Sequence, residues 1–165
     1  MKLRLADTSD LRVIMLILSQ ARQAQRDAGF VQWEDGYPPA DAVLSDISEG
    51  NGYILDDDGV TAGYIAIATS DPEYERHPEL WDTDNSYTVF HRIALSDDYR
   101  GKGLSNILFD LAESLSRTKD AEYVRIDTGV ENRPMQHILS KRNYRHLGEC
   151  DFIWGKRLAY EKRLT

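Results

Sequence analysis

The stretch Tyr87–Leu95 reads as a long strand. It runs through a short turn into Arg100-Gly101-Lys102-Gly103-Leu104-Ser105, where an apolar stripe at helical spacing begins. That stripe is Leu104, Ile107, Leu108, Leu111 and Leu115, one face of an amphipathic helix. Strand, glycine-rich turn and helix in immediate succession leave the chain few ways to fold. Glycine lets backbone N–H groups come close to a ligand and point at it together, and a helix N-terminus adds partial positive charge. Arg100 and Lys102 add two full charges. The guest such a loop suits is a phosphate or pyrophosphate; a strand-to-helix turn that uses glycine only for tightness is the alternative. Two familiar phosphate loops are excluded. Asn106 stands where a dinucleotide fingerprint needs its third glycine, and no Gly-x-x-x-x-Gly-Lys-Ser/Thr occurs.

The rest of the chain frames this unit. Lys2–Leu5 looks like a first strand, and Asp7 or Thr8 can cap the helix that follows. Leu11, Ile14, Met15 and Leu18 mark that helix, which should end near Gly29. A loop carries Trp33, Tyr37, Pro38 and Pro39, and residues 40–49 suit a second helix. The runs 52–55 and 60–68 flank Asp58-Gly59, a strong hairpin signal. Residues 71–84 read as a polar loop and 123–126 as a strand. Asn132 should cap a helix with Pro134 near its start. Strands over 147–154 and 157–164 close the chain. The order β-α-α-β-β-β-α-β-α-β-β is mixed α/β: an antiparallel meander joined to strand–helix units that favour parallel pairing.

Composition narrows what the chain can be. Its 165 residues suit one domain, 1–165, with a single core. Asp plus Glu outnumber Lys plus Arg by 28 to 20, for a net charge of −8. That balance argues against a nucleic-acid partner, which needs a basic face. An anion must then be held locally. Cys150 is the one cysteine, so no internal disulfide forms and a reducing compartment is expected. The N-terminus is charged too early for a signal peptide, and no apolar run nears the roughly 20 residues of a membrane span. The expectation is a cytoplasmic protein with no membrane partner. His77, His137 and His146 show no metal-ligand spacing, so no metal is expected. A Gly-x-Ser-x-Gly elbow is absent, which removes support for a serine hydrolase.

Arg100-x-x-Gly103-x-Ser105 resembles the Arg/Gln-x-x-Gly-x-Gly/Ala acetyl-CoA signature of the GNAT superfamily of N-acetyltransferases. The block from Tyr123 through Asn132 to Lys141-Arg-Asn-Tyr144 resembles that superfamily's second motif: strand, Asn, helix, then Lys-x-Gly-Phe. Element order agrees over essentially the whole chain. The resemblance implies a mixed, mostly antiparallel central sheet with a V-shaped splay between the fourth and fifth strands, flanked by about four helices. It implies acetyl-CoA as donor, with pyrophosphate on the backbone of Arg100, Gly101, Lys102, Gly103, Leu104 and Ser105. It places the pantetheine along Ile93, Ala94 and Leu95 and gives Asn132 a hydrogen bond to it; a plain helix cap is the other reading of Asn132. Two departures stand out. Ser105 replaces the usual Gly or Ala, and Leu139 falls where many members carry a tyrosine that protonates the departing thiolate. Tyr144, at the usual Phe position, reads as core.

Acetyl transfer to an amine needs a base, because an alkyl amine is mostly protonated near neutral pH. On the Tyr87–Leu95 strand, alternation puts Tyr87, Val89, His91, Ile93 and Leu95 on one face. His91 matches the family's pattern of a base on this strand; a satisfied, partly buried histidine is the plain reading. Asp127 is the second candidate, and a pair with Arg92 or Arg125 is its plain reading. The acceptor is expected between two loops rich in aromatics and carboxylates. One holds Trp33 and Tyr37, the other Asp71, Glu73, Glu75, Glu79, Trp81, Asp82 and Asp84. Such a lining suits a cationic amine; tryptophans that plug the core are the alternative. Arg157 could meet a substrate carboxylate or be a plain surface charge. The expected activity is acetyl-CoA-dependent N-acetyl transfer to a primary amine of a small molecule, directly in a ternary complex, by a monomer or homodimer. A non-catalytic acyl-CoA sensor on the same fold, or an acetyltransferase for protein lysines or N-termini, are the alternatives.

Overall fold

The computed structural model describes residues 1–81 and 84–165. Asp82, expected beside the acceptor, lies outside the described residues. The chain forms two compact units, Met1–Ile67 with His91–Ala112 and Ala68–Phe90 with Glu113–Thr165.

The first unit opens with β1 (Lys2–Leu5) and a 3₁₀ turn at Thr8–Asp10. Asp7 caps that turn. Its carboxylate accepts the Ser9 N–H at 2.8 Å, while Asp10 accepts the Asp7 N–H at 2.9 Å. Arg4 grips Asp10 with two bonds of 2.9 Å. Helix α1 (Leu11–Asp27) follows, then α2 (Ala40–Ser48). The apolar face of α1 buries Ile14, Ile17 and Leu18 in a core shared with Ala6, Trp33, Val43, Ile54, Tyr64 and Ala94. β2 (Gly52–Asp57) and β3 (Val60–Ala68) form the Asp-Gly hairpin. Asp58 and Gly59 both take positive φ, 49° and 92°, which matches the right-handed twist of the flanking strands. Antiparallel pairing joins β1 to β2 and β2 to β3.

The strand β4 (Tyr87–Leu95) contributes Tyr87–Phe90 to the second unit and His91–Leu95 to the first. In the second unit β4 pairs in parallel with β5 (Tyr123–Gly129), setting Tyr87 against Tyr123 and Val89 against Arg125. Next come α5 (Arg133–Lys141) and the strands β6 (Arg145–Phe152) and β7 (Gly155–Arg163). β7 runs antiparallel to both β5 and β6. Tyr74, Trp81, Tyr87, Val89, Phe152 and Ala159 form this unit's buried cluster. The strand order is β1-β2-β3-β4-β5-β7-β6, a seven-stranded, mostly antiparallel sheet in a mixed α/β fold.

The expected polar loop over 71–84 holds a short helix, α3 (Pro72–Glu75), and a 3₁₀ turn at Pro78–Leu80. Asp71 caps α3 by accepting the N–H groups of Glu73 and Tyr74. Pro72 sits at the first helical position, where its missing N–H costs nothing. Helix α4 (Leu104–Thr118) begins where the glycine-rich loop ends. Among the described residues, no helix is long and apolar enough to cross a membrane.

Candidate active site

The loop from Ser96 to Gly103 is tied down inside the first unit. Ser96 N–H donates to the Ala62 carbonyl at 2.9 Å and Asp97 N–H to Gln20 Oε1 at 3.0 Å. Tyr99 donates its hydroxyl to Asp57 at 2.8 Å, and that bond raises the phenol pKa. Gly101 and Gly103 have φ of 76° and 74°. A Cβ built on either would meet nothing within 4 Å. Two glycines in the left-handed region thus border open space just before the first turn of α4, whose leading N–H groups have no intrahelical acceptor. The open backbone ahead of a helix N-terminus leaves room for an anion to approach these N–H groups.

The loop's cations face a different way from the expected one. Arg100 pairs with Asp97 and donates to the Leu95 carbonyl at 2.9 Å, while its own N–H bonds the Ser96 carbonyl. Lys102 donates to the Asp98 carbonyl at 2.6 Å. Both side chains are folded onto their own loop.

The second half of β4 departs from strand geometry. Arg92 has φ of 51°, a left-handed conformation that costs a non-glycine residue about 1–3 kcal/mol. The period of two is therefore broken, and the face shared by Tyr87, Val89 and His91 does not continue to Ile93 and Leu95. His91, Arg92, Ile93 and Leu95 are half-buried and Ala94 is buried. Arg92 grips Asp46 of α2 through Nε at 2.8 Å and the terminal nitrogen at 2.5 Å. Tyr64 donates its hydroxyl to the same carboxylate at 2.7 Å, and Arg92 reaches the Tyr37 hydroxyl at 3.4 Å. Burial works against the Arg92 charge, but the Asp46 carboxylate outweighs it and raises the guanidinium pKa. Burial, then Asp46, pushes the Tyr64 phenol up. Gly52 leaves room for this arrangement: a Cβ there would lie 3.0 Å from the Tyr64 hydroxyl.

In the second unit, Asp127 on β5 is held from several sides. Tyr74 donates to one oxygen at 2.5 Å, and Trp154 Nε1 donates to the other at 3.1 Å. Arg157 lies 3.8 Å away. The pairs considered from the sequence are made elsewhere, since Arg92 joins Asp46 and Arg125 joins Glu161 at 2.8 Å. Burial, then the Asp127 charge, drives the Tyr74 phenol well above its ordinary value. Asn132 caps α5, accepting the Met135 N–H at 3.2 Å. Leu139 is fully buried on that helix, and Tyr144 is a core residue whose hydroxyl donates to Glu113 at 3.0 Å.

Trp33 and Trp81 are 8% and 7% exposed, and each belongs to the core of its own unit. Trp81 donates its indole N–H to the Tyr74 carbonyl, and the Arg125 guanidinium lies over its ring. Tyr37 is 39% exposed. Asp46, Tyr64, Tyr74 and Trp154 were not singled out from the sequence. Nothing in their local spacing marks them; Asp71-Pro72 as a helix start was the one readable sign near Tyr74. Among the described residues, no group of three or more His, Cys, Asp or Glu could hold a metal ion.

Comparison with known proteins follows the same lines. A family model described as "Acetyltransferase (GNAT) family" matches residues 18–144. An acetyltransferase of the GNAT family from Streptococcus agalactiae is 35% identical, with a TM-score of 0.86 over 98% of this chain and 94% of that one. A GNAT-family acetyltransferase from Listeria monocytogenes shares the fold at 21% identity and a TM-score of 0.78, over 98% and 94% of the two chains. The putative acetyltransferase yncA from Salmonella typhimurium, solved with its cofactor acetyl-CoA, shares it at 14% identity and a TM-score of 0.69, over 100% and 94%. Among curated proteins, none matches.

Proposed function

The chain belongs to the acetyltransferase (GNAT) family, and we propose that it moves an acetyl group from acetyl-CoA to a primary amine of a small molecule, directly, in a ternary complex within one 165-residue domain. The observation that carries this reading is the open, left-handed pair Gly101 and Gly103 ahead of α4. Acetyl-CoA supplies an activated thioester. The N–H groups of Gly101, Lys102, Gly103, Leu104 and Ser105 take its pyrophosphate, with Arg100 closing the loop onto Asp97. The main chain of Ile93, Ala94 and Leu95 takes the pantetheine, and Asn132 adds a side-chain bond while capping α5.

The proton of the attacking ammonium goes to His91 or Asp127. Both carboxylate oxygens of Asp127 are already engaged, one by the Tyr74 hydroxyl and the other by the Trp154 indole N–H, so neither faces an incoming amine unaccompanied. That favours His91. Of the three aromatics expected at the acceptor, Tyr37 has the exposure to meet a ligand. We place the protein in the cytoplasm, as a monomer or homodimer, without metal, membrane or nucleic-acid partners.

One observation favours a second reading. Leu139, fully buried, offers no proton where family members often carry a tyrosine, as a non-catalytic acyl-CoA sensor would tolerate. A free thiol has a pKa of about 8.5, so its thiolate can depart near neutral pH without that tyrosine. Calorimetric titration with acetyl-CoA and with CoA, followed by thiol release over a panel of amines, tests both. Binding with turnover supports the enzyme, binding without turnover the sensor, and no binding of either ligand removes both.

A further inference from the structure

Arg92 is an arginine in a backbone conformation that suits glycine, in the middle of a strand. Its side chain is not available to a ligand. Asp46 takes the guanidinium as a two-pronged fork. Tyr64, itself fully buried, orients that carboxylate through Oδ2, and Gly52 leaves the space in which the two meet. Val43 and Ile47, on the same helix as Asp46, pack into the unit's core, so the carboxylate is fixed to a rigid element. Bidentate pairing of opposite charges fixes direction as well as distance, and strained backbone persists where its surroundings over-determine it.

We infer that Asp46 is a positioning residue: through Arg92 it holds the left-handed turn of β4, and so sets the direction of the His91 side chain and of the Ile93 and Ala94 N–H groups. The inference rests on the acetyl-transfer reading for its consequence, which is turnover. It needs no contact between Asp46 and any substrate. The turn disrupts β4 at the boundary between the proposed base and the proposed pantetheine segment. Relaxing it to ordinary strand geometry would rotate His91 relative to Ile93 while leaving the glycine loop, anchored by Ser96, Asp97 and Tyr99, in place.

The test uses Asp46→Asn, which removes the charge and keeps the size, and the double variant Asp46→Asn with Arg92→Gly. Glycine takes positive φ unaided. Asp46→Asn should lower kcat by about ten- to a hundredfold, the scale of a misplaced reacting group, with acetyl-CoA affinity within about threefold of wild type. The double variant should recover most of that loss, because the turn no longer needs a clamp. A lost ion pair that mattered only for stability, or an arginine that touched substrate, would not be rescued by glycine. An Asp46→Asn variant with unchanged kcat, or a double variant no better than the single, overturns the inference. If Asp46→Asn does not fold, the double variant, which buries no unpaired charge, decides alone by whether it retains turnover. Amide NMR keeps the two readings distinguishable. Should wild type neither bind acetyl-CoA nor turn over, the acetyl-transfer reading fails by itself. The clamp then stands if Asp46→Asn shifts the signals of His91–Leu95 and the double variant returns them, and falls if they do not move.

Discussion

A Cβ added to Gly63 would lie 2.7 Å from the carbonyl oxygen of Ala94 and 3.0 Å from Leu95 Cδ2. The backbone of β3 thus approaches the proposed pantetheine segment more closely than any side chain permits. Gly63→Ala must push β4 away, and overpacking of this kind costs about 1–3 kcal/mol. The unfolding free energy from urea titration should fall by that amount, lowering the midpoint, and the KM for acetyl-CoA should rise. An unchanged midpoint and KM would show that β4 is not fixed at Ala94.

Gly103→Val meets open space in the free protein, so its effect on stability comes from its φ of 74° alone. Its effect on acetyl-CoA should be far larger, because the branched side chain occupies the pyrophosphate cradle. Calorimetry should show affinity falling by about a hundredfold or more. Arg100→Ala and Lys102→Ala, whose side chains serve their own loop, should change affinity much less. Full binding by Gly103→Val would sink the loop assignment.

His91→Ala should slow the reaction near neutral pH and leave acetyl-CoA affinity unchanged. The pH–rate profile should lose its lower limb. If the profile keeps its shape in this variant, His91 is not the base.

Tyr74→Phe deprives a well-enclosed carboxylate of its 2.5 Å donor. Leaving a buried acceptor short of a partner costs about 1–3 kcal/mol. Chemical denaturation should report that loss, and it should be smaller when Asp127→Asn is present as well. Additive losses would mean that the two side chains do not depend on each other.

Alkaline pH should expose the buried phenols. Burial first, and acidic partners after it, raise Tyr64, Tyr74 and Tyr144, and Tyr87 is pushed up to about 12 by burial and Glu75. Unfolded tyrosines titrate at about 10. The folded state therefore keeps protons that the unfolded state gives up. Stability from these groups is intact below about 10 and declines as pH rises through the folded values. Tyrosinate absorbance should appear in step with unfolding rather than ahead of it; early titration of most tyrosines without loss of structure would contradict this.

Much of the architecture was legible because it is locally encoded. Asp58-Gly59 dictates its hairpin, Asp7 and Asn132 cap as their side chains require, and the leucine spacing of α4 survives intact. What escaped is held by partners far apart in sequence. Arg92 takes its left-handed turn beside Asp46, a residue of α2, and no pattern within Phe90-His91-Arg92-Ile93 announces it. Tyr74 and Trp154 reach Asp127 from a short helix and a hairpin turn. With four residues, α3 is too short for periodicity to show. Trp33 and Trp81 look alike in sequence whether they line a ligand site or a core, and burial alone separates the two.

The inward fold of Arg100 and Lys102 also bears on how fast the donor arrives. Coenzyme A is polyanionic and the protein carries a net charge of −8. Arg100 and Lys102 share the loop with Asp97 and Asp98, so its formal charges cancel and the entrance offers little long-range attraction to offset that repulsion. Diffusional capture should accordingly accelerate as ionic strength rises and the mutual repulsion is screened, the reverse of what an arginine-lined mouth would give.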